Sequence, residues 1–234
     1  MEKTQIILFG TLILEPMTAL TDFLVTAVCT AGFVKFMKMP EPQKQYIKVF
    51  AYFFLFMGLG TLFAGLLTHA FSYAFPEGKL HNLPNWLFNV FSVTLFEISN
   101  ILMAKKYLKN INSKVLFSVI TAESLAVLAM LLYLMSYNVA IGHISFALYL
   151  ISLPLQIIIY KNRRSQYSKF MIYGILLMLI TAPVMALKFQ FSAWFNHNDI
   201  SHVTIAATMF LFLLAGLEFS KENANFADCK NLKS

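Results

Sequence analysis

Charged residues are scarce in this 234-residue chain, where Asp, Glu, Lys and Arg make up only 12% of the positions. An ordinary soluble domain has about 25%. Hydrophobic residues make up 59% and include 24 phenylalanines and 12 methionines. A water-soluble fold of this size has no core large enough to bury so many large apolar side chains. The composition therefore excludes soluble, disordered and collagen-like classes and predicts an integral membrane protein.

Cysteine is also nearly absent, with Cys29 in an apolar stretch and Cys229 in the polar C-terminal region. Two cysteines so far apart predict neither a disulfide framework nor a thiolate metal site. No Gly-rich phosphate loop, G-x-S-x-G or H-E-x-x-H motif is present. The formal net charge is +7, but the basic residues follow a membrane-topology pattern, so we expect no nucleic acid as a partner.

Seven segments reach the roughly 20 mostly apolar residues that a membrane-crossing helix requires. They cover about residues 16–37, 49–75, 84–104, 115–135, 139–160, 170–189 and 199–219. The connections are short, so the sequence predicts an all-α bundle of seven transmembrane helices. This bundle forms one domain at 1–220, followed by a polar cytoplasmic tail at 221–234. Pro154 and Pro183 fall inside spans five and six, where we expect kinks.

A further apolar stretch at residues 5–14 precedes the first span. Its N-terminal flank lacks net positive charge and no clear small-residue cleavage site follows, so we expect the stretch to be retained in the mature protein. Pro16 suits the first position of a helix. Residues 5–14 are therefore predicted to form a short interfacial or re-entrant segment that leads into the first span.

Lysine and arginine are concentrated on one side of the predicted bundle. The connections after spans one, three and five carry four basic residues each and the tail carries three, so this side holds 15 of the 18. The other side has only Lys3, Lys79 and Lys188. The positive-inside rule then places the N-terminus outside and the C-terminus in the cytoplasm. The compact loops favour a bacterial inner membrane.

Three acidic residues fall inside predicted spans, where ionisable groups are costly and therefore become functional hypotheses. Asp22 lies about six residues into span one, roughly 9 Å from the outer surface. Glu97 and Glu123 fall near the midplane of the antiparallel spans three and four, so they can face each other. Two close carboxylates in a low dielectric cannot both stay ionised. They can form a protonated clasp between helices, or part of a proton or cation path.

The histidines share one side of the predicted topology. All five fall in outer loops or at outer ends of spans: His69, His81, His143, His197 and His202. With Asp22, three of them (His69, His143 and His202) lie within roughly 5–10 Å of the outer boundary. Imidazoles at one level beside a carboxylate are suitable ligands for Zn²⁺, whose bound water becomes a hydroxide nucleophile near neutral pH. The alternative is that these histidines are amphipathic interface residues.

The start of span seven carries further polar groups. Asn198 or Asp199 is a suitable N-cap for that helix. Both lie within four residues of His202 on the same helical face, so either can support or bind a metal. The last span contains no lysine, which excludes a retinal protein. The hypothesis of a heme bound by His69 and either His202 or His143 is not excluded.

The positions of these histidines resemble the pattern of the CREST superfamily, which includes alkaline ceramidases and adiponectin-receptor-like proteins. His69 matches the metal ligand of that family in span two, and His202 matches its last ligand in span seven. Asn198 stands four residues before His202, where the family has another histidine, and His197 lies one residue further back. Gly65 stands four residues before His69, where the family has a serine.

The resemblance implies a seven-helix bundle that binds Zn²⁺ and hydrolyses lipid amides. In that family an aspartate in span three supports the metal site, and here span three offers Asn85, Asn89 or Glu97. The resemblance further implies either that His143 replaces the histidine missing at position 198 or that the site has lost hydrolysis.

Three functional hypotheses follow. The first is a zinc-dependent intramembrane hydrolase of a lipid amide or ester, with its site near the outer leaflet and a membrane lipid as substrate. Its expected metal ligands are His69, His202 and either His143 or His197, with Asp22 or Asp199 as the base or orienting residue. The alternative is a proton- or cation-coupled transporter or channel that uses Asp22, Glu97 and Glu123. A second alternative is a heme-binding or sensory seven-helix protein.

Overall fold

Seven long helices make up most of the chain in the computed structural model, which describes residues 4–39, 43–75, 79–105, 107 and 112–231, without the side chains of 43–46 and 225–231. By length and composition, seven described helices can cross a membrane. They are Pro16–Met37 (helix 1), Ile47–Ala70 (helix 2), Leu80–Ala104 (helix 3), Ser113–Leu134 (helix 4), Tyr137–Arg163 (helix 5), Gln166–Ala186 (helix 6) and His197–Ala224 (helix 7). The predicted all-helical bundle of seven apolar helices is confirmed.

Several of these helices differ in detail from the predicted spans. Helix 2 begins as an α-helix at Gln43–Phe63 and continues as a π-helical segment at Ala64–Ala70, so span two ends earlier than predicted. Helix 7 continues as an α-helix to Asn231, through most of the predicted tail. The basic residues Lys3, Lys106, Lys109 and Lys233, which contribute to the predicted orientation, lie outside the described residues.

Helices 5 and 6 are interrupted near the prolines that the sequence singles out. Helix 5 consists of an α-helix at Tyr137–Ser145, a π-helical segment at Phe146–Ser152 and an α-helix at Leu153–Arg163. Pro154 follows the π-helical segment directly, and its missing backbone N–H cannot donate to a carbonyl of that preceding turn. Helix 6 is divided into Gln166–Met178 and Thr181–Ala186, and Pro183 lies in the second part.

The predicted interfacial or re-entrant segment is a β-hairpin. Strand β1 (Gln5–Leu8) pairs antiparallel with strand β2 (Thr11–Leu14). The two turn residues, Phe9 and Gly10, have φ values of 50° and 78°, and two positive φ angles are typical of the tight turns that match the twist of a hairpin. The hairpin leads directly into helix 1, and its second strand receives a hydrogen bond from the Tyr73 hydroxyl to the Leu12 carbonyl at 2.9 Å.

Phenylalanine rings from helices 1, 2, 3 and 7 form the centre of the core. The fully buried rings belong to Phe36, Phe50, Phe53, Phe54, Phe96, Phe212 and Phe219. The ring of Phe96 lies 5.0 Å from those of Phe53 and Phe212, within the range of favourable aromatic contacts. Helices 4 and 6 bury the smallest share of their residues. Helices 4 and 6 therefore lie at the edges of the bundle, and helices 2 and 3, which bury the largest share of their residues, lie at its centre.

Candidate metal centre

Asp22, His69 and His202 come together from helices 1, 2 and 7. One ligand atom of each residue lies within 4.8 Å of the others. The Oδ2 atom of Asp22 is 3.8 Å from Nε2 of His69, and its Oδ1 atom is 3.5 Å from Nδ1 of His202. The Asp22 side chain is 2% exposed, whereas those of His69 and His202 are 13% and 18% exposed. The cluster is thus buried on its carboxylate side and accessible on its imidazole side.

Glu15 contacts the opposite nitrogen of the His69 ring. Its Oε2 atom lies 3.1 Å from Nδ1 of His69. An ionised carboxylate can only accept hydrogen bonds, so Nδ1 donates to it. In the neutral ring, Nε2 then carries a lone pair directed towards Asp22. Histidines that bind metals are commonly oriented in this way by a carboxylate on their other nitrogen.

The local backbone of helix 2 brings His69 close to Asp22. His69 lies in the π-helical segment Ala64–Ala70, and single π turns occur frequently at functional sites because they change the direction of side chains. Gly65 stands in the same segment. A Cβ atom at this position would lie 2.8 Å from a ring carbon of Phe23 and 3.2 Å from Cβ of Asp22. The missing side chain at position 65 therefore permits the close approach of helices 1 and 2 beside the cluster.

Thr21 holds the other imidazole in place. Its Oγ1 atom lies 3.2 Å from Nδ1 of His202 and donates a hydrogen bond to the Thr18 carbonyl at 2.9 Å. Helix 1 thus provides both the carboxylate of the cluster and a polar support for the helix 7 histidine.

Asp199 lies beside this cluster in the first turn of helix 7. Its Oδ2 atom accepts the backbone N–H of Asn196 at 2.6 Å, and Oδ1 of Asn196 accepts the N–H of Asn198 at 2.8 Å. The N-cap is therefore Asn196, and the prediction of Asn198 or Asp199 is corrected. The helix begins two residues earlier than predicted. Asp199 is therefore its third residue, whose side chain accepts a hydrogen bond from the backbone N–H of the N-cap.

One carboxylate oxygen of Asp199 is unpartnered in the described part of the chain. The residue is fully buried, and its Oδ1 atom has no hydrogen-bond partner among the described residues. Its charge interacts unfavourably with that of Asp22. The repulsion between these two carboxylates favours a bound cation, because a cation offsets it.

The structure does not bring His143 and His197 to this cluster. His143 is buried in helix 5, whose first part packs against helices 3 and 4. Its Nδ1 atom lies 2.8 Å from Oε1 of Glu123. His197 is the first residue of helix 7 and lies five residues before His202, so the two side chains leave the helix on different faces. The ring of His81 stacks on Phe75 at 5.6 Å.

Glu97 and Glu123 lie together, as the antiparallel order of spans three and four predicts. They form a second cluster with His143, in which one ligand atom of each residue lies within 4.8 Å of the others. Ser99, Asn100 and Ser124, which are close to these glutamates in sequence, make no hydrogen bonds to the two carboxylates. Ser99 and Asn100 donate to the Phe96 carbonyl instead, and Ser124 pairs with Thr94.

A model of a protein family matches residues 17–221 of the chain. The matched region contains Asp22, His69 and His202 as well as the second cluster. No curated protein and no solved structure matches the chain. Since the family model covers most of the sequence, the chain belongs to the family of unknown function DUF6962.

Proposed function

We propose that this protein is a Zn²⁺-dependent membrane hydrolase that cleaves a lipid amide or ester. The cluster of Asp22, His69 and His202 carries the proposal, because two imidazoles and one carboxylate within 4.8 Å are a donor set that catalytic zinc sites use. Three protein ligands leave a position open for water or substrate. The resemblance of His69 and His202 to the CREST ligands supports the same function, with Asp22 in place of the third histidine.

The proposal includes insertion in a bacterial inner membrane with the N-terminus outside. In this orientation helix 1 begins, helix 2 ends and helix 7 begins at the outer face. Asp22 and His202 lie six and five residues from the starts of their helices, which corresponds to about 8–9 Å at 1.5 Å per residue. This depth is near the boundary of the hydrocarbon core, where the acyl carbonyls of lipids lie.

Zinc at this cluster would polarise the acyl carbonyl and lower the pKa of a bound water towards neutrality. Glu15 holds the His69 ring through its Nδ1 proton. Asp199 is the proposed general base, because its buried Oδ1 atom has no hydrogen-bond partner among the described residues and its charge interacts with that of Asp22. Water adds to the carbonyl carbon, the C–N or C–O bond breaks, and the proton of the water leaves with the amine or alcohol. The other product is the fatty acid.

The acyl chain of the substrate would enter a groove between helices 1 and 2. Its lining is mostly apolar and consists of Thr26, Thr30, Phe33, Phe54, Leu55, Gly58, Leu59 and Leu62. The groove begins one helical turn below Asp22, since the Thr26 hydroxyl donates to the Asp22 carbonyl at 3.1 Å. A lipid bound there would direct its chain towards the bilayer centre and its head group towards the cluster.

Hydrolysis of defined lipids tests this function. Purified protein in liposomes is incubated with an N-acyl sphingoid lipid and, separately, with an O-acyl glycerolipid, and the released fatty acid is measured. His69→Ala and His202→Ala should each lower the rate at least about 100-fold, because each removes a zinc ligand. His81→Ala is the matched control, since it removes an imidazole outside the cluster. Equal rates in all four proteins, or no hydrolysis of either lipid class by the zinc-loaded wild type, would contradict the proposal.

A further inference from the structure

The second cluster, formed by Glu97, Glu123 and His143, lies between helices 3, 4 and 5. Glu97 is fully buried, and neither of its carboxylate oxygens has a hydrogen-bond partner among the described residues. The Oε2 atom of Glu123 has none either. Three of the four carboxylate oxygens are thus unpaired inside the bundle, although a buried, unpaired carboxylate is strongly unfavourable.

The contacts of His143 leave its Nδ1 atom facing a carboxylate across a distance that a proton or a metal cation has to bridge. Its Nε2 atom lies 3.3 Å from the Val90 carbonyl oxygen, which can only accept, so Nε2 carries a proton. In the neutral ring, Nδ1 then has a lone pair. This lone pair faces Oε1 of Glu123 at 2.8 Å, and an ionised carboxylate is also an acceptor. Two acceptors at this distance require a proton or a metal cation that both can bind.

Thr94 supports the orientation of the His143 ring. Its Oγ1 atom donates to the Val90 carbonyl at 3.0 Å and lies 3.3 Å from Nε2 of His143. The same oxygen is 2.9 Å from the Ser124 hydroxyl of helix 4. The far nitrogen of the imidazole is thus held by a backbone carbonyl and a hydroxyl, which is how proteins commonly orient a histidine that binds a metal.

We propose that Glu97, Glu123 and His143 bind a second divalent metal cation, separate from the proposed zinc. One divalent cation neutralises both carboxylates and provides a partner for the unpaired oxygens, whereas one additional proton can do this for only one of the carboxylates. Two carboxylates and a single imidazole suit Mn²⁺ or Fe²⁺. The His143 side chain is fully buried and that of Glu123 is 18% exposed, so the cluster lies largely inside the bundle.

The cation would also attach helix 4 to the bundle. Helix 4 has only three buried residues among those described, Ile120, Val127 and Leu131. Its apolar contacts with the core are therefore few. A metal bound by one residue each from helices 3, 4 and 5 joins this peripheral helix to two better-packed neighbours.

Manganese binding tests the second site independently of the first. The double variant His69→Ala/His202→Ala lacks both imidazoles of the zinc cluster. In detergent, this variant is titrated with Mn²⁺, and the free ion is counted by electron paramagnetic resonance. We expect one bound Mn²⁺ per chain, at least tenfold weaker binding after the addition of Glu97→Gln, and no change after the addition of Glu218→Gln. Glu218 is the matched control because it lies outside both clusters and pairs with Lys221.

Thermal unfolding provides a second readout. Mn²⁺ should raise the unfolding temperature of the double variant but leave it unchanged when Glu97→Gln is added. A folded double variant that binds no Mn²⁺, or whose binding is unaffected by Glu97→Gln, overturns the proposal in favour of a protonated clasp or proton path. If the double variant does not fold, the same titration compares the otherwise unsubstituted protein with Glu97→Gln, which should bind one metal ion fewer. The lipid hydrolysis assay does not enter this test.

Discussion

At the residue scale, Asp22 determines what the cluster of Asp22, His69 and His202 can bind. Its carboxylate is buried, its Oδ2 atom has no hydrogen-bond partner among the described residues, and the charge of Asp199 is nearby. A buried carboxylate destabilises a protein unless a cation or several hydrogen bonds compensate for its lost hydration. Without metal, Asp22 should therefore destabilise the fold. With metal, it should become one of the residues that hold the helices together.

The substitution Asp22→Asn separates these two effects. In the presence of a metal chelator, the variant should unfold at the same temperature as the wild type or at a higher one, because a buried carboxyl group without a cation has been replaced by a neutral amide. Added Zn²⁺ should stabilise the wild type and not the variant, since binding to the folded state alone raises stability. Thermal unfolding in detergent measures both the stability without metal and the stabilisation by Zn²⁺. Equal stabilisation of the two proteins by Zn²⁺ would show that Asp22 is not a ligand.

At the element scale, the start of helix 6 depends on a carboxylate from helix 7. The Oε1 atom of Glu222 accepts the N–H groups of Gln166 and Tyr167 at 2.8 and 3.3 Å. Its Oε2 atom accepts the hydroxyls of Tyr107 and Ser165 at 2.5 and 2.8 Å. The first N–H groups of a helix lack partners within it, so Glu222 caps helix 6 and joins it to helix 7.

Replacing Glu222 by alanine should destabilise the fold by about 1–3 kcal/mol, because it removes charge-assisted bonds and leaves buried donors unpaired. The control is Glu218→Ala, one helical turn earlier, whose ion pair with Lys221 is largely exposed. This second change should have an effect of at most about 0.5 kcal/mol. Unfolding in detergent compares the two, and equal losses of stability would contradict the role of the cap.

The hydrogen bond from Tyr107 to Glu222 makes the stability of the fold depend on pH. Burial and the Glu222 carboxylate raise the pKa of the Tyr107 hydroxyl well above the ordinary value of 10.0. The contribution of Tyr107 is therefore fully present below about pH 10 and is lost as the pH rises, because the unfolded chain loses its proton before the folded one does. Stability measured from pH 9 to 11 should fall less steeply in Tyr107→Phe than in the wild type. Identical slopes would show that the hydroxyl does not ionise differently on folding.

At the scale of the whole molecule, hydropathy was sufficient to predict the seven helices. It was not sufficient to predict which side chains of different helices are in contact. The predicted start of span one, Pro16, is the start of helix 1. Depth along each helix also indicated that Asp22, His69 and His202 share a level. The rotation of each helix about its axis depends on packing, which the spans alone do not define. His143 therefore faces Glu123 instead of Asp22, His69 and His202.

Contacts between segments that are distant in the chain could also not be predicted from the sequence. The hairpin that positions Glu15 over His69 depends on a tight turn at Phe9 and Gly10 and on the bond from Tyr73 to Leu12. Neither contact follows from hydropathy. The π-helical segment that carries His69 likewise reflects the close packing of helices 1 and 2 at Gly65.

The proposed orientation of the molecule can be tested with its own cysteines. Cys29 is fully buried and should not react. Cys229 is on the C-terminal side of helix 7, so a membrane-impermeant maleimide should label it only after the cells are opened. A cysteine introduced as Lys79→Cys, in the connection between helices 2 and 3, should be labelled in intact cells. The reverse pattern would place the metal centre on the cytoplasmic side and contradict the proposed orientation.

The central claim is that Asp22, His69 and His202 bind zinc. Elemental analysis of protein purified in detergent measures this most directly. The wild type should contain one zinc ion per chain that is absent from both His69→Ala and His202→Ala and present in His81→Ala. A wild type that contains no zinc, even after incubation with Zn²⁺, or a zinc content that is the same in all four proteins, would contradict the claim.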